Sequence, residues 1–152
     1  MKTAKVLLTA LLTAGVLFMA GCPAPKPDNP KLSADFASAE LMNNKGSYDH
    51  YAEADATADI VFTTNYDAKK FRFIAVAYTE VDGKFMLTEE KVLYSYGTLN
   101  PKKPLVISTT FYGVIPNRGI AFVDFNNVER YYALSLSGKD GSVQLIAFED
   151  FK

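Results

Sequence analysis

The sequence predicts an all-β domain, namely an antiparallel sandwich of seven to eight strands. From Ala58 onward, runs rich in Val, Ile, Phe, Tyr and Thr alternate with short turn signals, which is the pattern of consecutive strands. The spacing of these runs is typical of a sandwich, and a small up-and-down barrel is the alternative. No segment after Ala58 keeps a helical period long enough to compete with this interpretation.

The N-terminal segment has the three parts of a secretory signal. Lys2 and Lys5 precede an apolar stretch from Val6 to Ala20, and small residues follow. A stable transmembrane helix needs about 20 apolar residues, and this stretch is shorter and contains two threonines. We therefore expect residues 1–21 to be a cleaved signal peptide.

The end of this segment, Met19-Ala20-Gly21-Cys22, resembles the lipobox of bacterial lipoproteins. The usual form is Leu, a small residue, Gly or Ala, and then Cys, so Met19 replaces the usual Leu. The resemblance implies that the Cys22 sulfur carries a diacylglyceryl group, that the signal is cut before Cys22, and that the new amino group is acylated, commonly by a fatty acid such as palmitate. Cys22 is the only cysteine, so the chain forms no intramolecular disulfide.

Lipidation of Cys22 would make a membrane the first partner of this protein. One acyl chain gives only marginal binding, whereas two or three hold a protein stably. The resemblance therefore implies a bacterial cell-envelope location. Pro23 follows Cys22 in place of the Asp associated with inner-membrane retention in enteric bacteria, which favours the outer membrane in a Gram-negative organism.

Residues 22–31 predict a stiff linker between the lipidated cysteine and a single domain over residues 32–152. Four of these ten residues are prolines, which favour an extended polyproline II conformation. The signal holds two of the 16 Lys and Arg and none of the 17 Asp and Glu, so the mature chain has a formal charge of −3. That mild acidity argues against a nucleic-acid partner.

The remaining segments are assigned in chain order. Leu32–Met42 is ambiguous between helix and strand, and we favour a strand; Gly46–Thr57 is polar and predicts a loop. Seven strands follow, at Ala58–Asn65, Phe71–Glu80, Phe85–Tyr96, Leu105–Val114, Ile120–Phe125, Val128–Ser137 and Ser142–Glu149. Asp82-Gly83 predicts a tight hairpin, Glu89-Glu90 a bulge, and Gly97–Pro104 a crossover between sheets.

The strand count, the length and the lack of helices resemble a generic immunoglobulin-like sandwich. In Phe71–Glu80 both faces are apolar, with Phe71 and Phe73 on one face and Ile74 and Val76 on the other. One face belongs to the core. We expect the other either to be covered by a loop or to meet a partner.

Residues capable of chemistry are few. His50 is the only histidine and no serine elbow is present, so we interpret it as structural or incidental. Asp49, Glu53, Asp55 and Asp59 are spaced through one loop, and Asp124 begins a partial match to a calcium loop, but neither has the full pattern. Glu89 and Glu90 are adjacent in a strand and so point to opposite faces. Five tyrosines are candidates for an exposed platform or for the rim of the core: Tyr94, Tyr96, Tyr112, Tyr131 and Tyr132.

The sequence therefore predicts no catalytic residue, no cofactor and no metal site, and Cys22 is the one residue with an assigned role. We expect a lipid-anchored envelope lipoprotein with a non-catalytic binding or structural β domain, whose envelope protein or glycan partner is not specified by the residues. The alternatives are an accessory subunit of an envelope assembly and a carbohydrate-active enzyme.

Overall fold

The computed structural model describes residues 27–111 and 115–150, so the predicted signal peptide and the predicted lipidation site, Cys22, lie outside the described residues. The described chain forms two facing β-sheets, which confirms the predicted all-β sandwich. The alternative, a small up-and-down barrel, is excluded because the strands form two separate sheets. Nine strands are present: β1 Leu32–Phe36, β2 Asp49–Ala52, β3 Ala58–Thr64, β4 Ala68–Val81, β5 Lys84–Leu99, β6 Leu105–Thr109, β7 Arg118–Val123, β8 Glu129–Leu136 and β9 Val143–Ala147. A short helix, α1 (Ala39–Asn43), and a final 3-10 turn, Phe148–Asp150, complete the elements.

The order of the strands agrees with an immunoglobulin-like arrangement. The four-stranded sheet has the order β1-β3-β6-β2 and the five-stranded sheet has the order β5-β4-β7-β8-β9. Strands β1, β3 and β6 are neighbours as A, B and E are in an immunoglobulin domain, and β5-β4-β7-β8 follow the order C′-C-F-G. Strand β9 extends the second sheet, and β2 lies at the edge of the first.

The predicted hairpin, bulge and crossover are all present. Asp82 and Gly83 have φ angles of 52° and 72°, and a tight turn with two positive φ angles matches the twist of its strands. Glu90 has no partner on β4, because Ala75 pairs with Lys91 and Val76 pairs with Glu89. The chain passes from the second sheet to the first between β5 and β6, within the predicted crossover segment.

The prediction of a loop at Gly46–Thr57 is wrong, because this segment contains β2. Strand β2 pairs in parallel with β6, from Asp49 opposite Leu105 to Ala52 opposite Ser108. The ambiguous segment Leu32–Met42 contains both structures. It begins as β1, which pairs with β3, and then forms α1, whose N-terminus is capped by the Ser38 hydroxyl accepting from the Leu41 N–H.

The main core lies between the sheets and is rich in phenylalanine. Its buried members come from the seven strands β3 to β9: Ile60, Phe62, Ala68, Phe71, Phe73, Leu99, Leu105, Ile107, Ile120, Phe122, Leu134 and Val143. Phe71 contacts both Phe62, at 5.6 Å between ring centroids, and Phe122, at 6.3 Å. The contact with Phe62 joins the two sheets, because Phe62 lies on β3 and Phe71 on β4, whereas Phe122 lies on β7 within the same sheet as Phe71.

A second apolar cluster covers the opposite face of the five-stranded sheet. Ile74, Val76, Leu87, Ala121 and Ala133 are buried there, and Tyr78, Tyr131 and Phe148 pack against them. Phe148 belongs to the final 3-10 turn and contacts Tyr131 at 5.6 Å between ring centroids. The second apolar face of β4 is therefore covered in part by the end of the chain, which is the loop-covered alternative of the sequence analysis.

Gly119 is required where β7 enters the second sheet. A Cβ atom at this position would lie 2.5 Å from the Tyr132 carbonyl oxygen and 3.0 Å from a Val76 methyl group. The first of these atoms belongs to the backbone of β8, so it cannot rotate away. Any side chain at position 119 would therefore push β7 from β8.

We predict that Gly119→Ala lowers the free energy of unfolding by about 1–3 kcal/mol, the usual cost of overpacking a close contact. The measurement is urea denaturation followed by circular dichroism. Gly138→Ala is the matched control, because a Cβ atom there meets nothing within 4 Å, and it should change stability by less than about 0.5 kcal/mol. Equal stability of the two variants would contradict the close approach of β7 and β8.

Candidate functional site

Strand β2 brings together polar side chains that are distant in the sequence. His50 lies on β2, Ser108 on β6 and Asp59 on β3. The His50 Nε2 and the Ser108 Oγ are 2.8 Å apart, and the Ser108 hydroxyl donates to the Asp59 carboxylate. This cluster was not predicted from the sequence, because His50 lies in the segment predicted as a loop and its partners are 9 and 58 residues away in the chain.

The order of the three side chains differs from that of a hydrolase triad. In a Ser-His-Asp triad the histidine stands between the other two, accepts the serine proton, and is oriented by the aspartate. Here Ser108 stands between His50 and Asp59, and its hydroxyl donates a hydrogen bond to Asp59 rather than to His50. Ser108 is also only 7% exposed. Its contacts with His50 and Asp59 cross-link three neighbouring strands, β3, β6 and β2.

Glu53, directly after β2, connects the two sheets. Its carboxylate accepts from the Arg118 guanidinium, with Nε at 3.0 Å and 3.1 Å from the two oxygens and Nη2 at 2.9 Å from one of them. The buried Thr109 hydroxyl, at the end of β6, also donates to Glu53. Both charged side chains are 17% exposed, so the pair is largely shielded from water. Beside it lies a small polar pocket of about 250 Å³.

Asp49 makes the corresponding connection at the start of β2. One of its carboxylate oxygens accepts from Lys103 Nζ at 2.6 Å, and the other accepts from the Tyr96 hydroxyl at 2.5 Å. The hydrogen bond from Lys103 is the main reason that the pKa of Asp49 lies below its usual value. Burial and the bond to Asp49 raise the pKa of Tyr96. Tyr96 lies on β5, so this contact also joins the two sheets.

The four acidic residues of the predicted loop are thus engaged separately. Asp49, Glu53 and Asp59 bind Lys103, Arg118 and Ser108, respectively, and the backbone carbonyl of Asp55 accepts from Thr110. In the part of the chain that the structure describes, no group of three or more His, Cys, Asp or Glu is placed to hold a metal ion.

Asp124 stabilises the turn between β7 and β8. Its Oδ1 accepts from the backbone N–H groups of Asn126 and Val128, and its Oδ2 accepts from Arg130 at 2.9 Å. Burial raises the pKa of Asp124, but these donors outweigh burial and the net shift is downward. All of these bonds are local, so Asp124 is explained by the turn itself.

The adjacent acids of β5 do not share a site. Glu89 accepts from Arg72 at 3.2 Å, and Arg72 also donates to Glu129 at 3.0 Å. Glu90 is the extra residue of the bulge. The arrangement offers an ion-pair network on the second sheet rather than two carboxylates across a cleft.

The five tyrosines do not form one platform among the residues described. Tyr94 stacks on Tyr51 at 4.5 Å between ring centroids, and Tyr132 stacks on Phe122 at 5.9 Å, so both line the main core. Tyr96 bonds Asp49, and Tyr131 packs on the opposite face with Phe148. Tyr112 lies outside the described residues. The rim-of-core alternative fits the four described tyrosines better.

The β4–β5 hairpin extends beyond the body of the second sheet. Strand β4 pairs with β7 only from Lys69 to Ala75, whereas its pairing with β5 continues to the turn. We call residues 77–88 the hairpin arm. It carries three exposed apolar side chains, Val81, Phe85 and Met86, which are 50%, 45% and 50% exposed. An open groove of about 870 Å³ lies between the arm and the final 3-10 turn.

The start of the domain is fastened to the turn between β3 and β4. The Asn65 side chain accepts from the Lys31 N–H at 2.7 Å and donates to the Asn29 carbonyl at 2.7 Å, and the Asn65 N–H donates to the Lys31 carbonyl at 3.1 Å. Part of the predicted linker, residues 29–31, therefore belongs to the domain. Within the described ranges, no helix is long and apolar enough to cross a bilayer.

Comparison of this chain with protein-family models, with curated proteins and with solved structures finds no match.

We predict that Glu53→Gln lowers the free energy of unfolding by about 2 kcal/mol, because the shielded Arg118 guanidinium then loses its charged acceptor. Urea denaturation gives the value. Glu90→Gln is the control, since Glu90 is exposed in the bulge of an edge strand and its replacement should change little. If the two variants are equally stable, the Glu53–Arg118 pair does not hold the sheets together.

Proposed function

We propose that this protein is a lipid-anchored lipoprotein of a bacterial envelope, and that its β-sandwich is a non-catalytic binding or structural domain. The observation that carries the proposal is the sequence Met19-Ala20-Gly21-Cys22 at the end of a short apolar run with a basic start. The sole cysteine of the chain stands where lipid attachment requires it.

The position of the first described residues supports this proposal. The Asn65 contacts fix the chain from Asn29 onward, so only six residues, 23–28, separate the domain from Cys22. The seven Cα–Cα steps from Cys22 to Asn29 reach at most about 25 Å in any conformation. A lipid on Cys22 would therefore hold the domain close to the bilayer and by one defined end.

The bonding of the reactive side chains supports a non-catalytic role. His50, Ser108 and Asp59 are engaged with one another in an order that does not activate the serine. Arg118 neutralises Glu53, and Arg72 neutralises Glu89. These groups among the described residues are thus engaged in structural contacts, which favours binding or support over chemistry.

We predict that the mature protein, extracted from membranes with detergent, begins at Cys22 and carries the mass of a diacylglyceryl group, with or without a further acyl chain. Intact-mass and N-terminal peptide spectrometry measure both. Cys22→Ser should leave the signal uncut and the added mass absent, because the lipid is attached through sulfur.

Met19→Leu is the matched control, since it restores the usual first residue of the lipobox and should keep the lipid and the cut. A mature N-terminus elsewhere, or a Cys22 without acyl mass, would exclude the proposal.

The hairpin arm favours a second candidate function, as an accessory subunit of an envelope assembly. Val81 and Met86 are half exposed near the turn of a ribbon that extends past the sheet, where an apolar contact with another protein would shield them.

If the arm binds an envelope protein, Met86→Ser should reduce recovery of that protein about tenfold in a pull-down from detergent-extracted membranes. An interface side chain of this kind is typically worth 1–2 kcal/mol. Val92→Ser is the control, because Val92 is also exposed but lies outside the arm. Equal recovery with both variants, or no co-purified protein, would remove this candidate.

A further inference from the structure

The strand pairings give the sandwich two distinct ends. The start of β1 lies beside the end of β3, and the start of β4 lies beside the ends of β5 and β7. We call this the tether end; it includes Lys31, the β3–β4 turn, the β5–β6 connection and the β7–β8 turn. The opposite end, the hairpin end, includes the β4–β5 turn and the β8–β9 turn.

The tether end carries an excess of exposed positive charge. Lys31, Lys69, Lys70 and Lys102 are exposed there, and none of them forms an ion pair with another described residue. The Asp49 carboxylate at this end is already bound by Lys103, Asp124 by Arg130, and Glu129 by Arg72. Asp28 and Asp67 are the exposed carboxylates that remain.

The hairpin end has the opposite charge. Its exposed acids include Asp55, Glu80, Asp82 and Asp140, whereas its exposed lysines are Lys84 and Lys139. Glu149 is assigned to neither end, because it lines the groove beside the hairpin arm and also acts on Arg130 near the start of β8. Charge is therefore separated along the long axis of the sandwich, although the mature chain as a whole is only mildly acidic.

We infer that the tether end rests on anionic phospholipid headgroups, with Lys31, Lys69, Lys70 and Lys102 facing their phosphates. The inference rests on the proposed lipid anchor at Cys22. Two observations select this occupant: the charge of the face is complementary to an anionic membrane, and the short connection from Cys22 keeps the face within about 25 Å of the bilayer. Lysines near such a surface are attracted over roughly a Debye length.

This orientation directs the hairpin arm away from the membrane. The acidic residues of the hairpin end would be repelled by the headgroups, so both ends favour the same orientation. The exposed Val81 and Met86 would then be presented to the compartment that the domain occupies.

The test uses the full lipidated protein in vesicles of phosphatidylcholine, alone or with phosphatidylglycerol. Because Cys22 would be occupied by lipid, one introduced cysteine can carry a fluorophore, placed by Val128→Cys at the tether end or by Lys139→Cys at the hairpin end. Acrylamide, which is uncharged, reports whether the fluorophore is shielded from water. We expect shielding at position 128 only, only with phosphatidylglycerol, and reversed by 0.5 M salt.

Charge removal provides the matched comparison. The triple variant Lys69→Gln, Lys70→Gln, Lys102→Gln should lower the ratio of shielded to free molecules by about fivefold for each lysine. The control triple variant Lys84→Gln, Lys91→Gln, Lys139→Gln, which removes three exposed lysines elsewhere, should leave the ratio unchanged.

Equal shielding on neutral and anionic vesicles, or an equal effect of both triple variants, would overturn the inference. Shielding at position 128 in native membranes but not on anionic vesicles would also overturn it, and would assign the face to a protein. Flotation of the protein with neutral vesicles separately reports the lipid anchor, so loss of flotation would refute the proposed function and not the docking.

Discussion

Strand β2 has one neighbouring strand, and its attachment is the constraint on which the closure of the sandwich depends. It has four residues and pairs in parallel with β6, which gives few backbone hydrogen bonds. Its place is fixed by side chains instead. Asp49 and Glu53 reach the second sheet at the two ends of β2, and Tyr51 stacks on Tyr94 between them. These polar bonds and the aromatic contacts of Tyr51 with Tyr94 and Phe73 hold β2 against the second sheet.

The connection from β2 to β3 completes this arrangement, because it passes over the end of β6. Thr109 and Thr110 hold it there: the Thr109 carbonyl accepts from the Thr57 N–H, and the Thr110 hydroxyl donates to the Asp55 carbonyl. Strands β2 and β3 run antiparallel to each other on either side of β6, so the connection between them has to pass over the end of β6. The polar residues around Asp55 therefore serve the topology, which explains their density without a metal ion or a substrate.

The same physics explains which parts of the structure could be predicted from the sequence. Strands β3 to β9 have long apolar runs or strong turn signals, and Asp82-Gly83 alone specifies its hairpin. Strand β2 has neither, because its stability comes from partners 40 to 70 residues away in the chain, such as Tyr96 and Arg118. Local patterns contain no information on those partners. For the same reason the contact of His50 with Ser108 could not be predicted. The proposed lipidation of Cys22 rests instead on a pattern of consecutive residues, which a sequence shows directly.

The two ends of the domain expose different kinds of side chain. Asp49 and Glu53, at the two ends of β2, form ion pairs with Lys103 and Arg118. Phe148 covers part of the outer apolar face of the second sheet. Two sets of exposed side chains remain without such a contact. They are the lysines of the tether end, which form no ion pair with a described residue, and the apolar side chains at the tip of the hairpin arm. If Cys22 carries the proposed lipid, this separation has a physical consequence: the tether end would face the bilayer, and the tip of the hairpin arm would remain available to a partner.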